Sequence, residues 1–199
     1  MEFTNIRTVR ITSYLLLALA ATQALYTILA TAEISVPRQL LWGMEGFLFT
    51  ILTAFAGAAM VQAKHYQLGW SAIAFSAVLN VVQVSVGVTM FGPLREAASQ
   101  LDALGPLAGA VVALSFMIYY AAKLLLGLAA LVFGMAKMSG GAKALGGLTA
   151  LVGVVAMFAN GMMVVFGRDV FLSSAVAGGS GVLATLLLAL CVRSLARED

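Results

Sequence analysis

The sequence predicts an all-α integral membrane protein, a bundle of six transmembrane helices, on two observations. The first is composition: 62% of the 199 residues are hydrophobic and only 10% are charged, with a mean hydropathy of +1.05. Soluble domains usually carry about 25% charged residues, and a soluble globule of this length has too little interior for so much apolar surface. The second is distribution: six apolar runs are each long enough to cross a hydrocarbon core of about 30 Å. The length suits a single transmembrane domain, residues 1–199.

The six apolar runs predict helices rather than strands. Strands of a membrane barrel have about ten residues of alternating polarity, whereas these runs are roughly twice as long and do not alternate. The first run follows two arginines and ends near Ala-Thr-Ala at 30–32, which are features of a secretory signal peptide. Its apolar core of about 20 residues is long for such a peptide, so we expect a retained helix. The predicted spans are 11–31, 40–63, 69–92, 107–136, 145–167 and 171–193.

The lysines and arginines between the runs predict the orientation. With a cytoplasmic N-terminus, the cytoplasmic side holds seven of these residues and the outer side three. Cytoplasmic loops carry the excess of basic residues, so both termini are predicted to be cytoplasmic. We expect a multi-pass protein of a plasma membrane, in particular a bacterial inner membrane. The seven are Arg7, Arg10, Lys64, Lys137, Lys143, Arg193 and Arg197, and the three are Arg38, Arg95 and Arg168.

The connection between the third and fourth runs predicts a short amphipathic helix near 94–104. Leu94, Leu101 and Leu104 fall on one face of this segment, and charged side chains take the other face. Pro93 opens the segment, and Gly-Pro at 105–106 closes it. Such a helix is expected to lie flat on the outer membrane interface.

Several function classes are disfavoured by residue counts. The basic residues are dispersed between apolar runs without a clustered patch, so nucleic-acid binding is not expected. One cysteine, Cys191, and one histidine, His65, are too few for a disulfide, a cysteine-histidine metal site or bis-histidine haem ligation. A serine nucleophile at Ser180 in Gly-Gly-Ser-Gly would need a histidine on a later helix, and none follows it. We therefore predict no metal and no cofactor, and an enzyme is the less favoured interpretation.

Lys123 most needs an explanation. It lies in the apolar stretch Ile-Tyr-Tyr-Ala-Ala-Lys-Leu-Leu-Leu-Gly, 14 residues from Lys137 near one end of its predicted helix and 14 from Gly109 near the other. At 1.5 Å per residue it lies about 20 Å from either boundary. A charge at such depth costs about 2.5–3.5 kcal/mol on insertion scales. We therefore expect Lys123 to face the bundle interior and to have a partner there.

The predicted partners of Lys123 are one carboxylate and several polar side chains. Tyr119 and Tyr120 lie one turn before it, where their hydroxyls can solvate the ammonium group. Glu45 lies about five residues below the outer end of the second span, about 7 Å deep, and is the natural counter-charge, paired directly or through water. A carboxylate near the interface that is simply hydrated is the alternative interpretation.

Amide side chains complete the predicted site. Each amide taken alone commonly acts as a bond between helices, contributing about 0.6 kcal/mol. Most of the amides fall in the outer half of the predicted membrane, however, within reach of a long lysine side chain, and this shared depth indicates a common polar site. The predicted ligand-binding residues are Lys123, Glu45, Gln83, Asn80, Asn160, Tyr119, Tyr120 and Gln23.

Two functions from different classes remain open. The first is a carrier, channel or binding protein for a small solute, in particular an anionic one, or for a proton, with a cavity reaching Lys123. The second is a non-catalytic structural or accessory subunit of a larger membrane complex, with a sealed interior and a broad outer face of small residues. The expected partners are the lipid bilayer, a small-molecule ligand, and either further copies of the chain or other membrane subunits.

Overall fold

Six long helices form the molecule in the computed structural model, which describes residues 4–34 and 38–195. Each helix is long and apolar enough to cross a membrane, and the described residues include no strand, so the predicted all-α six-helix fold is confirmed. A single 3₁₀ turn, Asp102–Leu104, lies between the third and fourth helices. The helices are α1 Asn5–Thr31, α2 Arg38–Gln62, α3 Gln67–Gln100, α4 Gly105–Ser139, α5 Lys143–Phe166 and α6 Ser174–Leu195.

The helices pack in chain order into a closed ring. Each helix packs against the next, α6 closes against α1, and α4 also packs against α6 across the bundle. We call the end with Asn5, Leu195 and the turns at 63–66 and 140–142 the basic end, since Lys64 and Lys143 lie there. The other end, with the 3₁₀ turn and the loop 167–173, is the hairpin end. Arg197 lies outside the described residues.

Glycines bring α4 and α5 into backbone contact. A Cβ atom added at Gly134 would lie 2.5 Å from the backbone nitrogen of Ala150. One added at Gly153 would lie 2.7 Å from the backbone nitrogen of Leu131. Small residues at helix interfaces allow this close approach, as is common in membrane proteins. We call this contact, which also includes Gly127 and Gly146, the glycine seam.

Large apolar side chains fill the bundle between its two ends. Leu16 and Leu19 of α1, Phe49 of α2 and Ile73 of α3 are all buried to 2% exposure or less. They form one apolar cluster with Leu126 of α4. This cluster separates the polar side chains near the hairpin end from the loops of the basic end.

The predicted interfacial helix is not a separate element. The helix α3 continues through Pro93 to Gln100, so residues 94–100 extend it along its own axis. Pro93 removes one backbone donor, and the carbonyl that loses its partner belongs to Thr89, an exposed residue. The next turn remains bonded, with the Leu101 nitrogen 3.0 Å from the Ala97 oxygen. The side chain of Leu101 is 56% exposed rather than buried.

The α3–α4 hairpin is longer than a bilayer core. Helices of 34 and 35 residues extend about 51–53 Å at 1.5 Å per residue, against a core of about 30 Å. Each of the two helices is therefore about 20 Å longer than such a core is thick. The predicted spans 69–92 and 107–136 therefore correspond to only part of each helix.

Candidate functional site

A polar cleft of about 360 Å³ opens at the hairpin end of the bundle. Its walls come from α1, α2, α3, α4 and α6, with one side chain from the loop between α5 and α6. We call it the hairpin-end cleft. The polar residues that define it are Gln23, Glu45, Gln83, Tyr119, Tyr120 and Arg168.

The polar residues of the cleft lie at one depth because of their positions along the helices. Gln23 lies 18 residues beyond Asn5, and Glu45 lies 17 residues before Gln62. At 1.5 Å per residue these positions are about 26–27 Å from the basic end. Lys123, which lies 16 residues before the end of α4, is about 24 Å from the same end.

Lys123 lies beneath the cleft, in the interior, with no exposed surface. Its Nζ donates a hydrogen bond to Oε1 of Gln23 and lies 5.4 Å from the centroid of the Tyr119 ring. Gly181 of α6 makes room for the side chain, because a Cβ atom there would lie 2.9 Å from Cδ of Lys123. The direct partner is therefore Gln23 on α1, one of the predicted amides, whereas the sequence analysis named Glu45 as the natural counter-charge.

Glu45 is the carboxylate of the cleft wall. Its side chain is only 7% exposed, and its Oε1 has no hydrogen-bond partner among the described residues. The Thr22 hydroxyl lies beside it. The carboxylate and the Lys123 ammonium interact through space, yet these two described groups are not within the 4.0 Å of an ion pair. A water molecule or a ligand atom between them would satisfy both groups.

Gln83 joins α3 to α4 on the cleft wall. Its Nε2 lies 3.3 Å from the Ser115 hydroxyl, and that hydroxyl lies 3.3 Å from the Gln83 carbonyl oxygen. Both side chains are buried. The amide of Gln83 is therefore held in one orientation at the edge of the cleft.

Asn80 and Asn160 are buried but do not line the cleft. Nδ2 of Asn80 donates to the Ser76 carbonyl oxygen at 2.9 Å. Nδ2 of Asn160 donates to the Ala177 carbonyl oxygen of α6 at 3.1 Å. Asn160 thus joins α5 to α6, which is the structural role that interhelical amides commonly have, whereas the Asn80 bond lies within α3.

Aromatic rings from α4 form one wall of the cleft. The centroids of Tyr119 and Tyr120 are 5.4 Å apart, and Phe116 packs against both. The Tyr120 hydroxyl has no hydrogen-bond partner among the described residues. This wall therefore lines the cleft with aromatic rings, while the unpartnered Tyr120 hydroxyl is itself buried.

Arg168 stands at the mouth of the cleft, fixed by its neighbours. Its guanidinium carbon lies 4.4 Å from the centroid of Phe116, and its Nε donates to Asp169 at 2.9 Å. Asp169 also accepts a 2.6 Å hydrogen bond from the backbone nitrogen of Ser174, at the start of α6. The pKa of Asp169 is lowered from its ordinary value, first by this backbone hydrogen bond, with further contributions from the Ser174 and Arg168 side chains.

Tyr119 and Tyr120 were predicted for the site, but the sequence analysis missed Trp42, Phe116 and Arg168 of the cleft. Arg168 was assigned only to an outer loop. Trp42 is typical of an interfacial anchor, yet it is 8% exposed and packs into space left by Gly87 of α3. The sequence does contain a signal that would have placed Trp42 in the site, since Trp42 and Glu45 are three residues apart and share one face of a helix.

A second cavity, of about 560 Å³, opens at the basic end. Val9, Gln62, Tyr66 and Trp70 are among its lining residues. The apolar cluster around Leu19 and Phe49 lies between the two cavities. The bundle thus has an opening at each end and an apolar barrier between them.

The fold and the cleft together define a class: an all-α bundle of six helices, long and apolar enough to cross a membrane, with an interior polar site near one end. Comparison with family models, curated proteins and solved structures gives no match.

Proposed function

We propose that the chain is a multi-pass membrane protein that binds and carries a small solute, with or without a coupled proton, through the hairpin-end cleft. The proposed orientation places the basic end in the cytoplasm and the cleft on the outer side. The localisation we propose is a plasma membrane, in particular the inner membrane of a bacterium. The excess of basic residues at one end supports this orientation.

The observation that carries the proposal is the combination of an open cleft with buried charge. Ionisable residues inside apolar helix bundles are costly, and in membrane proteins they mark substrate, ion or proton pathways. Here Lys123 is fully buried, and Glu45 leaves a carboxylate oxygen unpaired at the cleft wall. The volume of about 360 Å³ is near the lower end of ligand sites, about 300–1,000 Å³, and fits a small solute.

A non-catalytic subunit of a larger membrane complex is the alternative. It was expected to have a sealed interior and small residues on its outer surface. The glycine seam instead lies inside the bundle, where Gly127 and Gly153 face each other, and the interior opens into the cleft. These features support a solute-binding function over a purely structural one.

Water access to the cleft from outside the cell tests the proposal. Gly179 lines the cleft, and a Cβ atom there meets no other atom within 4 Å, so Gly179→Cys is expected to fold. A charged, membrane-impermeant thiol reagent should modify this cysteine in intact cells. The matched control is Phe47→Cys, since Phe47 is 65% exposed on the outer surface of α2 at the depth of Glu45 and should face lipid.

The reaction of Gly179→Cys and the protection of Phe47→Cys are the expected results. The native thiol of Cys191 is fully buried and should give no background signal. In proteoliposomes, modification of Gly179→Cys should also block any solute flux that the protein supports. A Gly179→Cys that stays unreactive both in intact cells and after the membrane is permeabilised would indicate a sealed interior and would favour the subunit alternative.

A further inference from the structure

Aromatic rings lie on both sides of the one carboxylate that lines the hairpin-end cleft. Tyr26 of α1 and Trp42 of α2 stand on one side, with ring centroids 5.8 Å apart. Phe116 and Tyr119 of α4 stand on the other side, with centroids 6.4 Å apart. Glu45 follows Trp42 by three residues on α2 and so shares its face. The cleft is therefore an aromatic box with a negative group in its wall.

The protein's own cations already use rings of this box. The Arg168 guanidinium covers Phe116 at the mouth, 4.4 Å from its centroid. The Lys123 ammonium lies 5.4 Å from the centroid of Tyr119 at the floor. The negative faces of aromatic rings attract cations within about 6 Å. These two placements show that rings of the cleft are accessible to positive groups at distances where cations and ring faces attract each other.

Glu45 supplies the remaining recognition element. Its side chain is more than nine-tenths buried, and its Oε1 lacks a hydrogen-bond partner among the described residues. A buried carboxylate oxygen without a donor is costly. A ligand group that carries both a positive charge and an N–H donor would satisfy this oxygen by a charge-assisted hydrogen bond.

We propose that the hairpin-end cleft binds a small protonated amine, with the ammonium group donating to Glu45 and the apolar part of the amine between the aromatic walls. This inference rests on the proposed solute-binding function and names its ligand class. Trp42 of α2 and Tyr119 of α4 provide the rings that contact the apolar part of the amine.

An anionic ligand is less well served by the same geometry. Lys123 has no exposed surface, and its ammonium donates to Gln23 beneath the cleft. Arg168, the positive side chain that lines the cleft, is already paired with Asp169. A carboxylate ligand in the cleft would therefore meet no exposed positive group that lacks an ion pair, and it would lie beside the carboxyl group of Glu45.

Tryptophan fluorescence provides a direct binding assay because one tryptophan lines the cleft. The chain has two tryptophans, of which Trp42 lines the cleft and Trp70 packs against Phe133 near the basic end. The full chain with Trp70→Phe, purified in detergent, would report only on Trp42. The probes are benzylamine, benzyl alcohol and benzoate at neutral pH, which share a ring and differ in charge.

We expect benzylamine to change Trp42 emission saturably and to bind about tenfold or more tightly than benzyl alcohol. The alcohol can still donate a hydrogen bond to Glu45, but it carries no positive charge to pair with the carboxylate. Glu45→Gln should abolish this preference for the amine. Glu96→Gln, the same substitution at an exposed site on the α3 extension, should leave it unchanged. The ligand series on the protein with native Glu45 remains decisive even if Glu45→Gln does not fold.

The contrary outcomes separate this inference from the proposed function. Tighter binding of benzoate than of benzylamine would overturn the amine inference and would leave the cleft as a site for anions. If benzylamine gives no response while Gly179→Cys still reacts with the thiol reagent, the amine inference is wrong. The proposed binding of a solute of another chemical class would then remain. A cleft that the reagent cannot enter from either side of the membrane would contradict both the amine inference and the proposed solute-binding function.

Discussion

Lys123 on α4 donates a hydrogen bond to Gln23 on α1, although α1 and α4 are not packing neighbours among the described helices. The lysine side chain reaches across the interior of the ring and meets the amide at the floor of the cleft. Gln23 also lines the cleft. The bond therefore ties two non-adjacent helices together directly below the site that we assign to a ligand.

Loss of the Gln23 amide should destabilise the fold. Gln23→Leu leaves the Lys123 ammonium without its direct partner in an apolar interior, and hydrogen bonds to charged groups contribute about 1.5–3 kcal/mol. We expect the free energy of unfolding, measured by denaturation in mixed micelles, to fall by about that amount. Lys143→Met, at an exposed lysine, is the control and should change it by less than about 0.5 kcal/mol.

The double variant Gln23→Leu with Lys123→Met checks the origin of that loss. If the bond is responsible, removal of both partners should cost less than the two single losses together, by about 0.5–3 kcal/mol. If the loss in the double variant equals the sum of the two single losses, Gln23 contributes through packing alone.

Lys123 and Glu45 should be coupled more weakly than Lys123 and Gln23. The two charges interact without contact, so Lys123→Met should be better tolerated in a Glu45→Gln background than in the native chain. We expect this coupling, from a double-mutant cycle on unfolding free energy, to be smaller than the one with Gln23. Strictly additive losses, within about 0.3–0.5 kcal/mol, would contradict the electrostatic pairing. If the pair serves ligand binding, the double variant should fold and be inactive.

The glycine seam should tolerate no added methyl group. Gly134→Ala would place a Cβ atom 2.5 Å from the Ala150 backbone nitrogen, so the helices must separate, and overpacking of this kind costs about 1–3 kcal/mol. Gly57→Ala in α2 is the matched control, because a Cβ atom there meets nothing within 4 Å. The control should be neutral or stabilising by up to about 1 kcal/mol. Melting temperatures in detergent that fall equally for both variants would contradict the role of the seam.

Cysteine labelling should report the orientation of the bundle. Ser99 is exposed on the α3 extension at the hairpin end, and His65 is exposed in the turn before α3 at the basic end. An impermeant maleimide should label Ser99→Cys in intact cells and His65→Cys only after the membrane is permeabilised. The reverse pattern would place the cleft in the cytoplasm.

The six-helix fold follows from features that sequence reveals directly. Apolar length and composition fix the number of helices, and they set most boundaries to within a few residues. The clearest failure was at Pro93, where a proline that usually ends a helix lies inside α3. The sequence does not show that the last turns of α3, which include Pro93, pack against the start of α4.

The sequence indicated which polar residues would lie near one another better than it indicated which of them would form hydrogen bonds. The cost of buried charge identified Lys123 and Glu45, and shared depth identified Gln23 and Gln83. The lysine's partner depends on how the ring closes, because Gln23 and Lys123 lie on helices that are not packing neighbours. Asn160 was predicted for the site but bonds α5 to α6 instead, a difference set by helix rotation that single-sequence periodicity does not reveal.

The glycine seam makes the contact between α4 and α5 stiffer than the contacts of α1 and α2 with their neighbours. Backbones that touch at Gly134 and Gly146 leave no flexible side chains to absorb sliding, so α4 and α5 behave as one stiff strut that carries the aromatic wall of the cleft. On the other side, α1 and α2 meet their neighbours through larger side chains such as Phe49 and Leu16, which can repack. We therefore expect any closure of the cleft to come from a movement of α1 and α2 relative to α4 and α5. The hydrogen bond from Lys123 to Gln23 should limit the extent of that movement.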